Sequence, residues 1–143
     1  METDARERLR AQLVRHEGLR LKPYLDTVGK LTIGIGRNLH DVGITVDEAH
    51  YLLSGDLEQV VTGLLSRYPW FSALDSVRQA VLVNMGFNLG LGGLASFTRT
   101  LAAVEHRQYG QAADFMMDSK WARQVGARAG ELAAQMKTGK WQP

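Results

Sequence analysis

The chain has 143 residues, of which 45% are hydrophobic and 22% charged, and its formal net charge is +2. This length and composition predict a single folded domain over residues 1–143 with a hydrophobic core of its own. The small net charge does not favour nucleic acid as a partner. The absence of cysteine excludes a disulfide framework and a thiol nucleophile.

The N-terminal segment carries too many charged residues to contain the apolar stretch of a signal peptide. No run of residues approaches the roughly 18 consecutive apolar positions that a membrane-spanning helix needs. We therefore expect no integral membrane segment and synthesis as a soluble cytoplasmic protein.

The first predicted element is a helix that stops at Gly18, because Leu9, Leu13 and Val14 follow helical spacing and glycine commonly ends helices. Glu17 is therefore expected in the last helical turn. The C-terminal end of a helix carries partial negative charge, which suits a carboxyl group that donates a proton.

Residues 20–36 predict a small antiparallel hairpin, because branched and aromatic side chains flank a turn-forming segment at 27–30. If Gly29 is the pivot, residues whose numbers sum to about 58 lie opposite each other, which pairs Asp26 with Thr32. A carboxylate and a hydroxyl would then share one patch of the sheet. Such a polar setting suits a carboxylate that holds a water molecule.

The rest of the chain predicts helices. A capping box at 45–48 opens a long amphipathic helix of about 45–66, and further helices are predicted at 73–88, 97–107, 111–117 and 127–137, with a break at 90–93. The predicted fold class is α+β. It consists of a small N-terminal lobe with a β-hairpin (about 13–50), the long connecting helix, and a larger all-helical lobe (about 1–12 and 67–143).

Hydrolysis of a glycosidic bond usually takes two carboxyl groups. One donates a proton to the leaving oxygen, and the other activates water or attacks the sugar. Glu17 and Asp26, with Thr32 beside the latter, fit such a pair. These residue types are common, so the pattern by itself leaves open that all three are ordinary structural residues.

The residues around this pair form a longer motif: Glu17-Gly18-Leu19-Arg20-Leu21-Lys22, Tyr24, Asp26-Thr27, Gly29 and Thr32-Ile33-Gly34-Ile35-Gly36. The motif resembles the catalytic segment of the T-even phage lysozymes, glycoside hydrolase family 24. In that family the glutamate is the general acid, and the aspartate and threonine place the nucleophilic water. The matching residues here are Glu17, Asp26 and Thr32.

The resemblance continues through the chain, at 44–49, 74–78, 84–90, 97–98, 119–121, 128–129 and 138–141. It implies the two-lobed lysozyme fold with the active site between the lobes. The implied reaction is hydrolysis, with inversion, of the β-1,4 bond between N-acetylmuramic acid and N-acetylglucosamine in bacterial peptidoglycan.

The family resemblance also implies a cellular setting. The expected partner is the glycan strand of peptidoglycan, and the expected protein is a monomer. It would be made in the cytoplasm of a bacterial host and would act on the cell wall, in the periplasm, after release through a separate holin-like protein. Host lysis would follow.

Four further residues match positions of the family's cleft. Phe87, Asn88 and Thr100 are candidates for substrate binding, although Phe87 and Thr100 would also serve as ordinary helix residues. Arg128 corresponds to a family arginine that reaches the catalytic glutamate.

Two departures limit the resemblance. Between Gly36 and Ile44 the chain has only seven residues, where the T-even members carry a longer insert with an extra helix. Arg37 stands where those members have a histidine that pairs with an aspartate of the long helix, which is Asp56 here. We predict an Arg37–Asp56 ion pair with a structural role.

Other residue patterns point to no additional chemistry. The four histidines lack metal-ligand spacing, and the glycines at 34–36 and 90–93 form no nucleotide-binding motif, so neither a metal nor a nucleotide cofactor is expected. Trp121 and Trp141 are expected to anchor the core.

Two other functions remain open at this point. A lytic transglycosylase acts on the same glycan with one acid/base glutamate, but it has no water to position, which Asp26 and Thr32 argue against. A non-catalytic module whose basic C-terminal helices adhere to cell envelopes or membranes would not depend on Glu17.

Overall fold

The computed structural model describes residues 1–143, and it confirms the α+β class. In chain order the elements are α1 (Thr3–Glu17), β1 (Arg20–Leu25), β2 (Leu31–Gly34), β3 (Arg37–Asn38), α2 (Val46–Arg67), a 3-10 helix (Pro69–Ala73), α3 (Ser76–Ala95), α4 (Thr98–Glu105), α5 (Tyr109–Met117), α6 (Lys120–Val125) and α7 (Ala127–Thr138). The chain divides into two compact units, Met1–Tyr51 and Leu52–Pro143, with the boundary inside α2. The assignment of residues 1–12 to the helical lobe stays a prediction.

The first unit contains a three-stranded antiparallel sheet in the order β1-β2-β3. The turn between β1 and β2 is closed by Gly29, whose N–H donates to the carbonyl of Asp26 over 3.0 Å and whose φ is +82°. A type I turn followed by a left-handed residue is a common three-residue hairpin loop, and glycine adopts that conformation at little cost. The predicted hairpin is therefore confirmed.

The register of the hairpin differs from the expectation by two residues. Thr32 lies opposite Tyr24, and Leu31 lies opposite Leu25, so the predicted pairing of Asp26 with Thr32 is wrong. The physical reason is that the loop is centred on Val28 and not on Gly29. Because side chains alternate between faces, a two-residue shift leaves every side chain on the expected face. Asp26 thus follows Tyr24 on the face that carries Thr32.

Helix α2 begins where the capping box predicts. The Thr45 hydroxyl accepts a hydrogen bond from the Glu48 N–H over 3.1 Å, and the Glu48 carboxylate accepts one from the Thr45 N–H over 2.9 Å. This reciprocal arrangement satisfies two N–H groups that a helix start otherwise leaves free. The helix ends at Arg67, one residue beyond the predicted end, and Pro69 opens the 3-10 helix that follows.

The hydrophobic core lies in the second unit, and side chains of all five helices α3 to α7 contribute to it, together with Leu64 of α2. Helices α5 and α7 pack against each other. Each carries two buried alanines, Ala112 and Ala113 on α5 and Ala129 and Ala133 on α7. Burial of these apolar surfaces is the main source of stability for this unit.

Several expectations for the helical part need correction. The break predicted at 90–93 is confined to Gly90, and the chain resumes helical geometry up to Ala95. Helix α6 and the 3-10 helix were not predicted, because segments of five or six residues show too little periodicity to detect. Trp121 is buried in the core as expected, but Trp141 is 66% exposed, so its predicted role as a core anchor is wrong.

No single helix has the length and apolar composition to cross a bilayer. Helices α3 and α4 meet these two criteria only when they are taken together, and the pair is bent by 104°.

Candidate active site

Glu17 is the last residue of α1. The helix stops there because the N–H of Gly18, at φ +77°, closes the final turn onto the carbonyl of Val14. The side chain of Glu17 is exposed. The ion pairs of the first unit use the acidic residues Asp4, Glu7, Asp41 and Glu48, and none of them uses Glu17. Its carboxyl group is therefore available to a ligand.

Asp26 lies at the start of the hairpin turn and uses one carboxylate oxygen to hold it. Oδ1 accepts hydrogen bonds from the N–H groups of Val28, over 2.9 Å, and Lys30, over 2.8 Å. This is the turn-stabilising role that aspartate often plays in loops. Oδ2 accepts no hydrogen bond from the protein, so half of the carboxylate remains free to accept one from water or substrate.

Thr32 is buried, with 4% of its surface exposed, and its hydroxyl donates to the carbonyl oxygen of Lys30 over 2.9 Å. A hydroxyl has one proton to donate, so Oγ1 keeps only acceptor capacity towards any further partner. Asp26 and Thr32 thus hold opposite ends of the same residue, because Asp26 binds the Lys30 N–H and Thr32 binds the Lys30 carbonyl. Sequence reasoning missed this shared anchor, although Asp26 three residues before Gly29 is a turn signal.

Arg37 corrects a second prediction. Its guanidinium donates two hydrogen bonds to the carboxylate of Glu48, over 2.7 and 2.8 Å, and one to the carbonyl of Gly43 over 3.2 Å. The expected partner, Asp56, is therefore wrong. Glu48 is a better partner because it is already held in the capping box, so little conformational freedom is lost when Arg37 binds.

The contact between Arg37 and Glu48 is also visible in the electrostatics of the site. The hydrogen bond from Arg37, followed by the one from the Thr45 N–H, lowers the pKa of Glu48 from 4.5 to about 2. The same contact raises the pKa of Arg37. Both groups are thus charged across the neutral pH range, and the pair joins β3 to the start of α2.

The four expected substrate-binding residues all lie in the second unit but not in one place. Phe87 is exposed and lines a pocket of about 420 Å³ together with Asp56 and Gly90. Arg128 donates hydrogen bonds to Oδ1 of Asn84 over 2.6 and 3.1 Å. The reach of this arginine towards the catalytic glutamate stays a prediction.

Asn88 and Thr100 lie near a second pocket, of about 380 Å³. Oδ1 of Asn88 accepts a hydrogen bond from the indole N–H of Trp121 over 2.9 Å, and Trp121 forms part of the pocket wall. Thr100 is 2% exposed and lines the same pocket, beside Arg99. The substrate contacts proposed for these residues stay predictions. No three histidine, aspartate or glutamate side chains converge to hold a metal ion.

Comparison with known proteins places these features in a family. The model of the phage lysozyme family matches residues 14–137. The chain is 32% identical to the pre-baseplate central spike protein Gp5 of Enterobacteria phage T4 over 155 residues, which cover 89% of this chain but only 27% of that protein. It therefore spans about a quarter of the spike protein's length.

Two relatives from Dictyostelium discoideum match over nearly their whole length. Probable T4-type lysozyme 1 is 29% identical over 153 residues, covering 86% of this chain and 89% of the relative. Probable T4-type lysozyme 2 is 26% identical over 161 residues, covering 92% of this chain and 94% of the relative.

Proposed function

The chain belongs to the phage lysozyme family of glycoside hydrolases, and we propose that it hydrolyses the β-1,4 bond between N-acetylmuramic acid and N-acetylglucosamine in peptidoglycan. One observation carries the assignment of its site. Glu17 has a carboxyl group without a partner at the end of α1, while Asp26 accepts a hydrogen bond from the Lys30 N–H and Thr32 donates one to the Lys30 carbonyl. These are the parts that the reaction needs.

Glu17 acts as the general acid in this proposal. As the glycosidic bond breaks, its carboxyl proton passes to the departing O4 oxygen, so the leaving sugar departs as an alcohol. The exposed, unpaired state of the carboxyl supports this role, because no side chain has to be displaced before substrate contacts it.

Asp26 and Thr32 position the attacking water. Both can accept a hydrogen bond from the water, since Asp26 Oδ2 accepts none within the protein and the Thr32 proton is used by the Lys30 carbonyl. A water that donates one hydrogen to each of them turns its lone pair outward. Its oxygen bonds to C1 of the sugar, and its proton passes to Asp26. Attack from the face opposite the leaving group inverts the anomeric centre.

Glu17→Gln is the experiment that tests this function. Glutamine cannot supply the proton but keeps the size of the side chain, so we expect a folded protein with nearly complete loss of peptidoglycan hydrolysis, measured as turbidity loss of permeabilised cells. If that variant lyses cells as fast as the wild type, the site is wrong and a non-catalytic envelope-binding module is favoured.

Product analysis separates the remaining alternatives. Digestion of purified glycan by the wild-type protein should give reducing ends that appear first as the α-anomer in an NMR time course. Anhydromuramic acid ends in a mass spectrum would identify a lytic transglycosylase instead.

We also propose the cellular setting that the family implies. The protein acts as a monomer on the cell wall of a bacterial host, after synthesis in the host cytoplasm and passage through a lesion that a separate holin-like protein makes. Host lysis is the outcome. The membership in a phage family supports this setting.

A further inference from the structure

The carboxyl group of Glu17 lies directly against the backbone of Gly36. A Cβ placed on Gly36 with standard geometry would lie 2.9 Å from Oε2, 3.0 Å from Cδ and 3.2 Å from Cγ of Glu17. Ordinary contacts between carbon atoms are about 3.5 to 4.0 Å. The space that a side chain at position 36 would need is therefore the space that the acid occupies.

We infer that Gly36 is a positioning residue for the acid: the lack of a side chain at position 36 determines where the Glu17 carboxyl group sits. This inference rests on the proposed role of Glu17 as the general acid. Acid catalysis needs the proton donor within about 3 Å of the leaving oxygen, so a displacement of 1 Å is costly to the rate.

The surrounding chain holds Gly36 in place. It lies in the turn between β2 and β3 that the pair of Ile33 with Arg37 closes, and on the other side Gly34 pairs with Arg20 of β1. Arg37, the next residue, is bound by two hydrogen bonds to Glu48. The backbone at 36 is thus fixed on both sides, whereas the long side chain of Glu17 is flexible and has no partner of its own. If a side chain at position 36 competes with the Glu17 carboxyl group for this space, the Glu17 side chain is therefore the group that moves.

This difference in stiffness separates the effect on activity from the effect on folding. The three heavy atoms nearest to a methyl group at position 36 all belong to the exposed side chain of Glu17, which can rotate away. The remaining cost is backbone strain, because Gly36 has a φ of +73° that other residues rarely adopt. We therefore expect Gly36→Ala to remain folded but to hold its acid in the wrong place.

Gly34→Ala is a closely matched control. Gly34 lies two residues earlier, at the end of β2, has a φ of +71°, and a Cβ placed on it meets no atom within 4 Å. The two substitutions therefore impose the same kind of backbone strain, and only the one at position 36 adds a contact with the acid.

The experiment compares both variants with the wild type in thermal unfolding and in steady-state hydrolysis of soluble glycan chains. We expect similar losses in Tm for the two variants. Gly36→Ala should lower kcat by tenfold or more with little change in KM. It should also shift the alkaline limb of the pH–rate profile, where the general acid loses its proton, whereas Gly34→Ala should leave kcat and the pH profile unchanged. Equal kcat values and equal pH profiles for the two variants would overturn the inference.

A third variant covers the case in which Gly36→Ala does not fold. Glu17→Ala removes the three atoms nearest to the new methyl group. The double variant Glu17→Ala/Gly36→Ala should therefore lose no more in Tm than Gly34→Ala does. If the double variant is as unstable as Gly36→Ala, the contact with Glu17 is not the cause and the inference fails.

Failure of the proposed function gives a different result. In that case Glu17→Gln retains hydrolysis, while ¹³C spectra of the Glu17 carboxyl group still report whether Gly36→Ala displaces it and Gly34→Ala does not.

Discussion

Asp26 shows how one side chain can combine a structural role with a proposed catalytic one. Oδ1 is used by the N–H groups of Val28 and Lys30, and Oδ2 accepts no hydrogen bond within the protein. The first role shapes the turn, and the second is open to a water molecule. Loss of activity in a variant of Asp26 can therefore have two causes, which well-chosen substitutions separate.

Asp26→Asn should keep the turn and lose the reaction. The amide oxygen can replace Oδ1, but the NH₂ group replaces the acceptor Oδ2 with a donor that carries no charge. We expect an almost unchanged Tm and a fall in kcat of about 10²-fold or more, the usual scale for loss of acid–base assistance. Steady-state hydrolysis and thermal unfolding measure the two effects.

Asp26→Ala is the companion variant, which removes both oxygens. It should lose the same activity and, in addition, about 1 to 2 kcal/mol of stability, since two hydrogen bonds to the turn disappear. If Asp26→Asn keeps full activity while Asp26→Ala is inactive and unstable, Asp26 is a structural residue only.

Single elements of the structure depend on a few polar contacts, and the start of α2 is the clearest example. Glu48 closes the capping box with Thr45 and also binds Arg37 from β3, so one carboxylate joins the helix to the sheet. The capping box was predicted from neighbouring residues. The contact with Arg37 was not, because the two residues are eleven positions apart and the family resemblance pointed to Asp56 as the partner.

The lowered pKa of Glu48 predicts how this contact responds to acid. Its pKa is about 2 in the folded protein and 4.5 in a free chain, so the stabilisation is complete above pH 4.5 and is lost as the pH falls towards 2. Glu48→Gln removes the charge but keeps an oxygen for the cap. We expect the wild type to be more stable than this variant at neutral pH, and the difference to disappear over that acidic range.

Urea unfolding followed by NMR signals of the sheet and the first turn of α2 measures this difference at each pH. Asp56→Asn is the control, because Arg37 makes its ion pair with Glu48, and the control should match the wild type at neutral pH. A difference in unfolding free energy between the wild type and Glu48→Gln that stays constant through the acidic range would contradict a stabilising contact of the ionised Glu48 with Arg37.

Across the whole molecule, the hydrophobic core and the proposed catalytic residues lie in different units. The core cluster lies within Leu52–Pro143, whereas Glu17, Asp26 and Thr32 lie within Met1–Tyr51, where Thr32 is the only buried residue. Turn, capping and ion-pair contacts therefore organise the site, and apolar burial stabilises the helical unit. Substitutions in the core should act on folding and leave the chemistry of the folded protein intact.

Leu82→Ala tests this separation. Leu82 is fully buried on α3, so its truncation should cost about 2 to 5 kcal/mol of unfolding free energy through lost apolar burial and a new cavity. Leu21→Ala, at an exposed position of β1, should change stability by no more than about 0.5 kcal/mol. Urea unfolding measures both values.

The activity of the folded fraction should be the same in both variants, because neither side chain is part of the proposed site. A loss of stability in Leu21→Ala that equals the loss in Leu82→Ala would show that the core extends beyond the second unit.

The sequence by itself determined what short-range patterns encode. Helical periodicity, the capping box at 45–48 and the stop at Gly18 predicted α1, the bounds of α2 to within a residue and the α+β class, because these signals act between residues a few positions apart. The motif from Glu17 to Gly36 likewise predicted the candidate catalytic residues and the family.

Only the tertiary structure decided which partners each of these residues has. The hairpin register, the choice of Glu48 over Asp56 by Arg37, the exposure of Trp141 and the contact between Glu17 and Gly36 all depend on competition among groups that are distant in sequence. Several partners were chemically acceptable in each case. The geometry of the folded backbone selected one of them. A side chain that another contact already holds, as the capping box holds Glu48, is favoured because it loses less conformational entropy on binding.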